Sequence, residues 1–160
     1  MRALLTLLVL LQFVQASQVV KHARGNSWER VTVYNGLLVS TAVTIGDKAT
    51  SLSEASAGEL IAVVNTAALV NQQLNAALQK GAKLPPNELK QPTALLKQVR
   101  GESSRLMLKA TLKVQNPKDK YAFMQQMQQL IDVTDVLLRT IPSLALDPSP
   151  PPVKSITFIP

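Results

Sequence analysis

Asp132 and Asp135 stand three residues apart in a stretch of helical period, the one close carboxylate pair on a helix that could offer two ligands to a metal. Arg139 follows Asp135 at four residues, so the group reads as a solvated face with an ion pair worth about 0.3 kcal/mol. Other chemistry is scarcer still. The chain has one histidine and no cysteine. His22 lies in Lys21-His22-Ala23-Arg24-Gly25, ahead of the first helical stretch and without a carboxylate at helical spacing, which is the pattern of a solvated linker. Neither a His-based triad nor a Glu-x-x-His di-iron site can be assembled from it. The six glycines are scattered, so no loop cradles a phosphate. Serines and threonines are plentiful but have no evident base. No catalytic residue, metal ligand or cofactor is expected, and the chain is not read as an enzyme.

Binding chemistry has more to work with. The formal net charge is +7, from 17 Lys and Arg against 10 Asp and Glu. Eight of the basic residues fall between Lys90 and Lys120, where the acids are Glu102 and Asp119. At helical spacing, Lys97, Arg105 and Lys109 point away from an apolar stripe, with Lys113 at its margin. These four form a candidate site for an anionic glycan or lipid headgroups; the alternative is a face that only maintains solubility. Asn71 is the other unusual residue, because it falls inside the stripe of Leu60, Val64, Ala67 and Leu78. A buried amide must be paired or it costs about 1–3 kcal/mol. Asn71 is therefore a candidate register-setting residue of the core, of the kind that fixes register or oligomer state in coiled coils, or it lines a small cavity, or else it is a partly exposed edge. The first of these roles predicts that Asn71→Leu raises thermal stability.

The elements that would position these residues are legible as four amphipathic stretches. The first, Ser27 to Leu52, places Val31, Tyr34, Leu38, Ala42, Ile45, Ala49 and Leu52 on one helical face. It also contains Asn35-Gly36 between β-branched runs, which leaves a hairpin open as the alternative over residues 30–45. The second runs to Gln79 with Leu60, Val63, Val64, Ala67, Val70, Leu74 and Leu78 on one stripe. Ser56 and Glu59 predict a capping box at its start. Between Leu60 and Gln79 it has no charged residue, yet Asn65, Asn71, Gln72, Gln73 and Asn75 interrupt it too often for a lipid-facing span. The third is expected from Pro92 to about Gln115, weakened at Gly101 by about 1 kcal/mol. The fourth starts with Asn116 as cap and Pro117 at the first helical position, and is stopped by Pro142.

Together these predict an all-α, up-and-down antiparallel four-helix bundle over residues 27–141. Ahead of it, Arg2, the apolar run from Ala3 to Val14 and Val14-Gln15-Ala16 follow the plan of a cleaved signal peptide over residues 1–16, with 17–26 as a linker. Residues 142–160 hold six of the ten prolines and predict an extended tail. Removal of the leader takes the net charge to +6, because Arg2 is lost. The roughly 140 residues left are enough for one domain that folds by packing alone, without disulfides. The function expected is that of a secreted, extracellular binding protein with a protein or surface partner, and self-association into a homo-oligomer is open. Reversible binding to a lipid or other hydrophobic surface is the first alternative and binding of an anionic glycan the second. Nucleic acid is not expected as a partner of a chain sent outside the cell.

Overall fold

The computed structural model describes residues 26–47, 52, 54–80, 84–111 and 116–146. The expected leader and linker up to Gly25, including His22, and the proline-rich stretch from Asp147 onward lie outside them. Among the described residues all regular structure is helical and no strand occurs.

Helix α1 spans Ser27–Gly46. Asn26 caps it, its side-chain oxygen accepting from the Glu29 backbone N–H at 3.1 Å, and Glu29 places negative charge in the first turn. Trp28, Val31, Tyr34, Leu38, Ala42 and Ile45 are buried along one face. Burying each such large apolar side chain contributes about 1.5–3 kcal/mol, which outweighs the roughly 1 kcal/mol that Gly36 costs inside a helix. The hairpin alternative is not adopted: Asn35 and Gly36 lie in mid-helix. The helix is shorter than the stretch expected to Leu52, ending at Gly46, while Leu52 packs half-buried against the core from a bend.

Helix α2 spans Glu54–Gln79. It buries Leu60, Val63, Ala67, Val70, Leu74 and Ala77, and no described helix is long and apolar enough to cross a membrane. The helix already begins at Glu54, two residues ahead of the Ser56 expected to cap it. Ser56 is thus an interior position, 2% exposed, rather than a cap. Helix α3 spans Pro86–Thr111, beginning a full turn and a half before the expected Pro92. Pro86 needs no donor at the first position. Pro92 lies inside the helix, where it removes one backbone hydrogen bond. The helix continues through it because Leu89, Pro92, Leu96 and Val99 share a buried face. Helix α4 spans Pro117–Thr140, with the Asn116 side chain accepting from the Lys118 N–H at 3.0 Å. Pro142 does not begin an extended arm. Ile141–Ala145 forms a 3-10 turn against α1, α3 and α4, and it buries Ile141 and Leu144.

Each helix packs against the next, and α1 also packs against α4, so the four enclose one core. Cross-helix neighbours fix how they lie. Asn35 of α1 meets Asn71 and Asn75 of α2, and a methyl added at Gly46 would come within 3.5 Å of Val64. Glu59 meets Lys109, Lys80 meets Glu88, and Arg100 of α3 meets Asp135 of α4.

Candidate functional site

Asp132 and Asp135 are already engaged by neighbours. Asp132 accepts from the Gln128 side-chain amide at 2.9 Å. Asp135 is held not by Arg139 but by Arg100 across the α3–α4 seam, Nε to Oδ1 at 2.5 Å and a guanidinium NH2 to Oδ2 at 3.5 Å. That hydrogen bond, and then the charge of Asp135, raise the Arg100 pKa above its ordinary value. The guanidinium therefore stays charged across the ordinary pH range and serves the seam as a fixed cation. Among the described residues no group of three or more Asp, Glu or His is placed to hold a metal.

The four basic residues singled out on the third helix do not act as a set. Lys97 and Arg105 are exposed, Lys109 is half-buried, and Lys113 lies outside the described residues. Lys109 reaches across to α2, its Nζ 2.5 Å from Glu59 Oε1, and the Arg105 guanidinium stands 3.8 Å from the other oxygen of the same carboxylate. At the opposite end of α2, Lys80 pairs with Glu88 at 2.8 Å. Much of the charge on α3 is thus directed into its seams with α2 and α4, which lowers the field available to an external anion.

The α1–α2 seam is built differently, from amides. Asn35 Nδ2 donates to Asn75 Oδ1 at 3.0 Å, and Asn75 Nδ2 donates to Asn71 Oδ1 at 3.1 Å. Asn71 Nδ2 donates in turn to the Asn35 backbone carbonyl at 3.2 Å, closing a ring. Asn71 is half-buried, whereas Asn35 is 1% exposed and its Oδ1 is buried with no hydrogen-bond partner. Asn35 was the residue the sequence reading missed. Its signal was available, since it falls between Val31 and Leu38 at helical spacing as Asn71 falls between Ala67 and Leu74, but the Asn-Gly turn pattern pointed elsewhere.

The seams divide the molecule into two unlike halves. From Val31 to Gly46 and from Leu60 to Gln79 there is no charged residue, while α3 and α4 carry charges along their lengths. The outward positions of α1 and α2 are therefore neutral as well as the inward ones. Thr32, Gly36, Ser40 and Val43 are exposed on α1, and Ile61, Asn65, Leu69 and Gln72 on α2. Val43, Ile61 and Leu69 are large apolar side chains with 53%, 50% and 41% of their surface in solvent. Leu108, Tyr121 and Leu146, on or after α3 and α4, are more exposed still, so what distinguishes this side is the absence of charge over two adjacent helices, where globular domains normally carry it. No protein-family model matches the chain, and neither a curated protein nor a solved structure matches it.

Proposed function

We propose that this is a secreted, non-enzymatic binding protein, an up-and-down antiparallel four-helix bundle that acts through the uncharged outer side of α1 and α2. The observation carrying the reading is the uncharged run on both helices, with Val43, Ile61 and Leu69 exposed on it. Support for the antiparallel course comes from paired neighbours whose numbers run in opposite directions: 35 with 71 and 75 against 46 with 64, and 59 with 109 against 80 with 88. The leader pattern at residues 1–16 supports export. An anionic-glycan site on Lys97, Arg105, Lys109 and Lys113 is the weaker reading, because Glu59 stands between two of them.

Site-specific photo-crosslinking tests the proposal. A photoreactive side chain at Leu69, exposed on α2, should give discrete adducts when the protein is irradiated in the fluid into which it is secreted, and the same group at Leu108, 68% exposed on α3, should not. Equal labelling at both positions, or none at either, would remove the case for this face.

A further inference from the structure

Resting on the reading of the α1–α2 side as the binding surface, we infer that its occupant is a second copy of this chain, docked about a two-fold axis with the neutral sides face to face. The choice of partner follows from charge. A chain of net charge +7, or +6 once the leader with Arg2 is removed, is repelled by its own copy wherever like charges are brought together, and juxtaposed like charges cost several kcal/mol. On the neutral side this does not happen. The charges of α3 lie one helix layer behind α2, about 10 Å further from the contact plane in each copy. The α3 charges of the two copies are then separated by about 20 Å, well beyond the Debye length of about 8 Å at physiological salt, while the exposed charges at the ends of α1 and α2, Glu29 and Asp47 against Arg30 and Lys80, balance in sign.

Self-contact also suits the groups that line the surface. A two-fold interface brings a patch against itself, so each group must be able to face groups of its own kind. Carboxylates and ammonium groups fail that requirement. The amides of Asn65 and Gln72 and the hydroxyls of Thr32 and Ser40 both donate and accept, and Ile61 and Leu69 pack on apolar surface whichever copy supplies it. The available area is modest. The uncharged run of α2 is about 30 Å long, and two helices side by side are about 20 Å wide, giving about 600 Å² per copy. A total of about 1,200 Å² lies at the lower edge of stable, specific interfaces and corresponds to a reversible dimer rather than an obligate one.

Sedimentation velocity of the purified chain over a concentration series tests this. The expected behaviour is a monomer–dimer equilibrium in the micromolar range that strengthens from low to physiological salt, as the residual repulsion between two positive molecules is screened. Ile61→Glu and Leu69→Glu, both at exposed positions, should each weaken dimerisation at least about tenfold with helical circular dichroism unchanged. Leu108→Glu, on the charged half, should dimerise like the parent chain. A chain that stays monomeric across the series, or dimers that survive both α2 substitutions, would overturn the inference. So would equal loss in Leu108→Glu. The crosslinks separate this failure from failure of the broader reading: adducts at position 69 whose mass is not twice that of the chain keep the face and reject the second copy, whereas absence of adducts rejects both.

Discussion

Replacing Asn71 by Leu removes an amide that holds the Asn35 carbonyl through its nitrogen and the Asn75 amide through its oxygen. Taken alone in an apolar stripe, Asn71 predicted a gain in stability on such a change. With its partners in place the sign reverses. The substitution removes both of these cross-seam and same-helix hydrogen bonds, and Asn71→Leu is expected to lower the free energy of unfolding by about 0.5–1.5 kcal/mol in urea titration. Ser103 is the opposite case. Its hydroxyl is completely buried on the α3 stripe and meets no hydrogen-bond partner among the described residues. Ser103→Ala deletes an unsatisfied group with little change of volume, so the urea midpoint should rise by the equivalent of about 1 kcal/mol with the slope unaltered. A fall instead would mean that the hydroxyl is paired in solution.

At the scale of elements, periodicity located four helices and most of their buried faces, and it located their ends less well. α4 was the most legible because Asn116 and Pro117 act locally, through groups that the sequence itself supplies. The start of α3 was missed because Pro92 reads as a first-turn residue, and only the burial of Leu89 and Leu96 on a shared face explains a helix that runs through it. Ser56 and Glu59 resembled a capping box, but Glu59 has a cross-helix use with Lys109 that local spacing cannot reveal. For the same reason the basic stretch of α3 looked like a free cationic face. Long-range partners decide such residues, and a single sequence does not name them. The 3-10 turn after α4 likewise changes where the bundle stops. Leu144 is fully buried, so Leu144→Ala should cost about 2–5 kcal/mol in thermal or urea unfolding. Any truncation meant to test the proline-rich stretch has to begin after Leu146; cutting after Ile141 would open the core and confuse loss of binding with loss of fold.

For the whole molecule, the seams assign different physics to different sides. Ion pairs join α2 to α3 and α3 to α4, whereas α1 meets α2 through amides and apolar contacts. Raising salt from 0.05 to 1 M shortens the Debye length from more than 10 Å to about 3 Å and weakens the exposed pairs. Binding to heparin, if α3 supported it, should fall steeply over that range, while contacts on the neutral side persist. The same division has a consequence in time. A ribosome releases α1 and α2 first, and that first helical hairpin carries its few charges near the helix ends, with none from Val31 to Gly46 or from Leu60 to Gln79. Its solubility has to wait for the charges of α3 and α4, so the half-made chain passes through an interval in which aggregation or a chaperone competes with folding. A fragment of residues 26–80 should therefore precipitate on release from denaturant, and one of residues 84–146 should stay in solution without folding; a soluble, helical 26–80 fragment would show that the early hairpin protects itself.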